Sequence, residues 1–237
     1  MIRERFFYRE TIATILADES EHVGAAKQGI IAARQVLERY IARDPFFLVT
    51  LEPYKPDSDE LVIMRMARAA AQANVGPMAA VAGAIAWAGI DAMVEHGAAF
   101  GVIDNGGDIA LVSDRAVRVG VHAGAAPVSD RVAFVVPPQK KILGICTSSA
   151  TVGPSISFGI ADAVTVFSHD VTLADAWATS VCNQIRIGDT TVFSNLDPGE
   201  VDGVFAVLGN HTERWGTLPP LVSATVDEHL ISAGDRL

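Results

Sequence analysis

From Phe6 to Asp18, in FFYRETIATILAD, apolar and polar positions alternate closely enough to predict a strand or a hairpin. The period changes at Glu21. Val23, Ile30, Ile31, Val36, Leu37 and Ile41 fall on one side of a helix that runs to Arg43 and ends at Asp44-Pro45. PFFLVTLEP reads as a strand closed by Pro53 and Pro56. Asp57 and Glu60 have the spacing of a D-x-x-E capping box ahead of a helix from Leu61 to Ala73. Asn74-Val75-Gly76 breaks that helix, and Pro77 opens an alanine-rich one that reaches about His96. Short strands then crowd together: Ala98 to Asp104, Asp108 to Ser113, Ala116 to His122, Arg131 to Val136 and Ile142 to Thr147. Ala161 to Phe167 is a further strand, Thr172 starts a helix to about Ile187, and Gly203 to Leu208 is a last strand before an irregular tail. Helices followed by adjacent strands, without strict β-α-β alternation, predict an α+β fold with a largely antiparallel sheet and packed helices. No repeat, low-complexity tract or Ser/Gly linker divides the chain, so residues 1–237 are read as one domain.

Composition changes this picture in one respect. Half of the 237 residues are hydrophobic, enough for a sizeable core, and the mean hydropathy is +0.31. The most membrane-like stretch, Val75 to Ile90, falls short of the ~20 apolar residues a span needs, and its small residues suit a helix packed inside protein. The N-terminal MIRERFFYRE has no apolar signal-peptide core. A net charge of −10 argues against nucleic acid and anionic membrane as partners. A cytoplasmic protein with a small-molecule ligand is the expectation. Association into a homo-oligomer is expected as well. Cys146 and Cys182 have neither disulfide-framework nor metal-ligand spacing and read as buried thiols.

Four segments carry candidate chemistry. In VIDNGGDIALVS, Asn105-Gly106 accounts for a hairpin turn, whereas Gly107 and the flanking Asp104 and Asp108 go beyond what a turn requires. NVGPMAAVAG, from Asn74 to Gly83, is a turn entering a helix; its small residues serve packing, and its free N–H groups could hold an anion beside Gly76. CTSSATVGPSISFG places Thr147, Ser148, Ser149, Thr151, Ser155 and Ser157 around Gly153 without a Walker lysine, either as a polar surface loop or as a binding loop. Thr172 and Asp175 have capping-box spacing, which by itself accounts for Asp175. Thr179, four residues further on, shares its helix face, and that pair also suits a hard cation such as Mg²⁺. The histidines, at 22, 96, 122, 169, 211 and 229, form no H-x-x-x-H and no hydrolase elbow, and no G-x-G-x-x-G follows a strand.

In this order the segments resemble the ApbE-like superfamily, whose best-known members are flavin transferases that attach FMN to protein threonines. The likeness covers roughly Asn74 to Ile187 and rests on NVGPMAAVAGAIA, VIDNGGDIALVS, TSSATVGPSISFG, and ADAVTVFS with LADAWATSVCN. It implies an α+β tunnelling-type fold with a cleft between helices and sheet. It also implies cleft roles for Gly106, Gly107, Asp108, Thr147 and Ser148, and a metal pair in Asp175 and Thr179. FAD or FMN and Mg²⁺ are the cofactors that it implies. The chain departs from the transferases where SISFGIADAV replaces their H-x-I-D-P-x-T-G segment. It is closer to a branch that keeps GPMAAVAG, NGGD and WGTLPP, whose relatives have been linked to sulfide-dependent homocysteine formation. Three functions stay open. The first is an enzyme of the transferase type acting on a nucleotide-like or phosphorylated molecule, with Asp175 as candidate catalytic residue. The others are a non-catalytic accessory or binding protein, and a sulfur-assimilation factor using Cys146.

Overall fold

The N-terminal alternation is a hairpin: β1 (Ile2–Tyr8) and β2 (Thr11–Ala17) pair antiparallel. The structure is a computed structural model that describes residues 1–151 and 159–225; Gly153, Ser155 and Ser157 of the hydroxyl-rich segment lie outside the described residues. Helices α1 (Ser20–Arg43), α2 (Phe46–Val49) and α3 (Leu61–Ala73) follow, then a 3-10 turn (Pro77–Ala80) leading into α4 (Val81–Glu95). Next come β3 (Gly101–Asn105), β4 (Asp108–Ser113), β5 (Val117–Gly120), β6 (Val132–Val136), β7 (Gln139–Ser148) and β8 (Ala163–Ser168). Helix α5 (Val171–Gln184) precedes β9 (Gly203–Leu208), β10 (His211–Gly216) and β11 (Leu221–Ser223).

Eight strands form one sheet in the order β1-β2-β3-β4-β7-β8-β9-β10, with antiparallel neighbours throughout. A smaller antiparallel sheet has the order β11-β6-β5. Because successive side chains leave a strand on opposite faces, each central strand feeds two cores. On β7, Cys146 joins the core under the helices, while Ile145 joins the core between the sheets. Phe134 of β6 sits edge-on to Phe167 at 5.0 Å and to Phe205 at 5.5 Å, which seats the small sheet on the large one.

On the opposite face, α4 packs against α1, α5, β3 and β4. Pro77–Glu95 is long and apolar enough to cross a membrane by length and composition, and half of that window is buried inside the protein. Its small residues set the helix spacing: a Cβ on Gly89 would stand 3.0 Å from Ile30 Cγ1 of α1.

Five local expectations need correction. PFFLVTLEP holds a helical turn, α2, instead of a strand; Pro45 has helical angles (φ −64, ψ −18), and Phe47 is buried edge-on to Tyr40 at 5.0 Å. An apolar run this short is ambiguous by periodicity, and ring packing decided it. The Asp57/Glu60 capping box does not form: Glu60 itself is the N-cap of α3 and makes no side-chain cap bond. Pro77 opens a 3-10 turn, so the α-helix proper starts at Val81. Asp170, not Thr172, caps α5, with its carboxylate accepting from Leu173 N at 2.9 Å. The tail beyond Gly203–Leu208 is not irregular. It continues into β10, which alternates exposed with half-buried positions, and β11, which completes the small sheet.

Candidate functional site

The tip of the β3–β4 hairpin is built from Asn105-Gly106-Gly107-Asp108, with Asn105 opposite Asp108. Gly106 and Gly107 have φ of 72 and 102, the pair of positive values a type I′ turn demands and side chains resist. The Asp104 carboxylate accepts from Gly107 N at 2.9 Å and fixes the turn. No atom lies within 4 Å of a Cβ placed on Gly106, and Gly107 has only Thr147 O at 3.9 Å, so bare backbone faces open space. Asn105 Nδ2 donates to Ala82 O at 3.1 Å, tying the tip to the start of α4.

That helix start was the candidate anion site, and the anion it holds is the chain's own. Asp175, projecting from α5, accepts from Gly83 N at 2.8 Å and from the backbone of Ala82. It therefore does not bond back within α5, as its capping-box spacing suggested; it caps α4 from a neighbouring helix. Asp175 is 7% exposed, and burial pushes its carboxyl up to about 7 against the pull of the two N–H donors.

Asp108 lies on the same side of the sheet, and its carboxylate accepts from Thr147 N at 3.3 Å. Burial first, then the charges of Asp175 and Asp104, raise its carboxyl well above the usual range. Asp108 is half-buried and lines the open cleft, whereas Asp175 is buried behind it. Between them the Cys146 thiol is fully buried, donates to Val171 O at 3.5 Å, and is pushed up by burial and by both carboxylates. A group so placed is a poor thiolate.

A cleft of about 1210 Å³ opens at this hairpin tip. Asn105, Gly106, Gly107, Asp108, Thr147 and Ser149 all line it, as do Asp104 and Thr165. Thr147 Oγ1 and Thr165 Oγ1 are 2.9 Å apart across β7 and β8. Met78, Val81, Ala82 and Ile85 supply an apolar wall from the helix side, Val119 and Phe134 supply one from the small sheet, and His122 lines the cleft beyond the end of β5. Gly76, Ser148, Asp175 and Thr179 are not among the lining residues. A Cβ on Gly76 would overlap the Thr50 carbonyl, so that glycine permits a close backbone approach. Ser148 is buried, and Asp175 stands behind Asp108 against the first turn of α4. His122, which sequence spacing passed over, lies in the cleft wall; no motif spacing along the chain links it to the NGGD segment.

Among the described residues, no group of three or more His, Cys, Asp and Glu side chains could hold a metal ion. A hard cation nevertheless fits the donor chemistry. The charge of Asp175 raises the Asp108 carboxyl, and no basic side chain is among the groups that act on either. Mg²⁺ usually takes one or two protein carboxylates and fills its octahedron with water and ligand phosphate.

Comparison with known proteins adds a family and a fold. A family model described as AbpE bacteria matches residues 6–196. A UPF0280 protein of Methanoregula boonei is 68% identical over 100% of both chains. A UPF0280 protein of Methanosphaerula palustris is 61% identical over 99% of both. Among solved structures, the flavinyl transferase ApbE of Pseudomonas stutzeri superposes with a TM-score of 0.60 at 13% identity, covering 99% of this chain and 98% of that one. The flavin transferase ApbE of Vibrio cholerae also gives 0.60 at 13% identity, covering 90% and 96%.

Proposed function

The chain belongs to the UPF0280 family of ApbE-like proteins, and from that footing we propose that its cleft binds a nucleotide-like, phosphorylated small molecule of the flavin class, with Mg²⁺, as a transferase-type enzyme. The observation that carries this reading is the bare Gly106-Gly107 backbone beside Asp108, in a cleft of about 1210 Å³. Unsubstituted backbone lets a planar ring or a phosphate approach within contact distance, and the apolar walls suit an aromatic system. Asp108, with Asp175 behind it, would hold the cation. When bound, that cation would neutralise phosphate charge. Thr147, Thr165 and Ser149 offer hydroxyls to the ligand's polar groups, and Asn105 holds the tip against α4.

Titration of the purified protein with FAD, FMN and ATP, with and without Mg²⁺, tests the proposal. Saturable binding strengthened by Mg²⁺ and weakened in Asp108→Asn is the expected result; no saturable binding of any of them refutes it. A second reading, a binding protein without turnover, is favoured by one observation: Asp175 is already engaged in capping α4. Turnover abolished by Asp175→Asn would exclude it. Cys146 supports no sulfur-carrier reading, because burial keeps its thiol protonated. The net charge of −10 favours a cytoplasmic protein without nucleic-acid or membrane partners, and exposed Phe46, Val49, Leu51 and Leu61 favour self-association, which light scattering reads directly.

A further inference from the structure

The wall of the cleft that holds the NGGD turn also carries a histidine held by a carboxylate. His122 follows β5 and lines the cleft, with its side chain 34% exposed. Its Nδ1 lies 3.0 Å from Asp130 Oδ1 and 3.2 Å from Oδ2. Asp130 in turn accepts from Ser129 Oγ at 3.0 Å, and Ser129 Oγ accepts from Ala123 N at 2.9 Å. An ionised carboxylate only accepts, so this chain of donors assigns the proton of the neutral imidazole to Nδ1 and leaves the Nε2 lone pair free. Among the described residues, Nε2 has no hydrogen-bond partner.

The backbone makes the arrangement costly to form by chance. Asp130 has φ 60, a left-handed conformation that a non-glycine residue adopts at some cost. Its N–H closes the loop on Val121 O at 2.9 Å. Val121 and Ala123, on either side of His122, are 3% and 0% exposed, so the ring is carried on anchored backbone. Oriented base, orienting carboxylate and open cavity are the elements of an acid–base site.

We propose that His122 is the acid–base group of this cleft, taking the proton from a hydroxyl that attacks a phosphoanhydride of the bound nucleotide. Asp130 is its positioning residue. The inference rests on the nucleotide reading above and assigns to its transferase-type reaction the residue that moves the proton. As Nε2 takes the proton, the hydroxyl oxygen's electron pair forms a new P–O bond. The pair of the broken P–O bond leaves on the departing phosphate, and the proton returns through Nε2 to that phosphate or to water. With water as the hydroxyl, FAD yields FMN and AMP, and ATP yields ADP and phosphate. With an alcohol, one product is the phosphoester of that alcohol.

The test compares wild type, His122→Gln and Asp130→Asn with FAD and ATP, each with Mg²⁺, in water and with glycerol as acceptor. Binding is followed by fluorescence and products by chromatography. Wild-type turnover is expected to fall 100-fold or more in His122→Gln while the Kd changes less than threefold. Asp130→Asn is expected to lower kcat with little change in KM, and to shift the His122 ring resonances in long-range ¹⁵N–¹H spectra toward the Nε2–H form. Bound nucleotide that His122→Gln converts as fast as wild type overturns the inference. So does wild type that binds but converts nothing with either acceptor, and in both cases the binding reading stands. Failure of every nucleotide to bind overturns both. If the variants do not fold, the wild-type spectrum decides: a His122 Nε2 resonance unmoved by bound nucleotide refutes contact with the ligand.

Discussion

Alanine substituted at two helix glycines, Gly24 and Gly83, is expected to change stability in opposite directions, and the difference tests how the site is supported. Gly24 lies within α1, and no atom stands within 4 Å of the Cβ it lacks. There alanine adds helix propensity alone, so Gly24→Ala stabilises by up to about 1 kcal/mol. Gly83 lies in the first turn of α4, where a Cβ would stand 2.8 Å from Asp175 Cβ, 2.8 Å from Val171 O and 3.2 Å from Asp175 Oδ2. All three belong to α5, whose backbone is held by β7 and β8. Relief requires parting two core helices, and parting them stretches the 2.8 Å bond from Gly83 N to Asp175.

Overpacking of this kind costs roughly 1–3 kcal/mol. At pH 5 Asp175 holds its proton, so the lost hydrogen bond is a neutral one that costs about 0.5–1.5 kcal/mol, and the propensity gain returns about 1 kcal/mol. The net for Gly83→Ala is a loss of roughly 0.5–3.5 kcal/mol. Urea unfolding of wild type and both variants at pH 5 reads these differences as shifts in midpoint at constant slope. A Gly83→Ala midpoint at or above wild type would refute the account of Asp175 as the cap that binds α5 to α4.

The Asp175 carboxyl gives stability a pH dependence. Its pKa is raised on folding from 3.8 to about 7, so the folded state holds the proton that the unfolded chain has lost. Stability from this group is complete below about pH 4 and is lost as pH rises through 7, by on the order of 4 kcal/mol at full ionisation. In EDTA, Asp175→Asn is expected to flatten the fall in urea midpoint between pH 5 and 8, because asparagine still accepts from Gly83; an unchanged fall would count against the assignment. Both thiols, at 0% exposure, are expected to ignore Ellman's reagent in native protein and to react only after unfolding. Prompt stoichiometric labelling of either would contradict their burial.

Periodicity made α1, α3 and the strands of the central sheet legible, because each buries one face and its sequence carries the period of that face. It failed where a few side chains decide. Phe47 turns an apolar run into a helical turn by stacking on Tyr40, and nothing local distinguishes that run from a strand. Only Glu213 and Trp215 are half-buried on β10, an edge strand whose other positions are exposed, so the alternation was weak. At the site, Gly106 and Gly107 were readable because positive φ restricts residue choice. Asp175 was legible as a residue with a role, but its partner was not, since Gly83 lies 92 residues away in the chain. His122 and Asp130 gave no signal, because a dyad closed by the turn between β5 and β6 leaves no repeat or motif spacing.

The use of Asp175 as a cap constrains where a phosphate can sit. A free helix N-terminus attracts an anion, but at α4 the first-turn donors Ala82 and Gly83 are already satisfied by a carboxylate. A phosphate arriving there would meet that carboxylate and Asp108 instead of a positive end. The positive charge for a phosphate must come from elsewhere in the cleft wall. Arg34 is paired with Glu10 and Glu38, and Arg9 with Glu38, which leaves their charge largely spent. Arg118 of β5 lines the cleft, is exposed, and among the described residues has no acidic partner. A cation on Asp108 and the guanidinium of Arg118 would each help to balance a bound phosphate. Arg118 stands on the small sheet, and His122 lies two residues beyond the end of β5. A ligand held between Asp108 and Arg118 would bridge the two sheets and bring its phosphate toward the wall that carries His122.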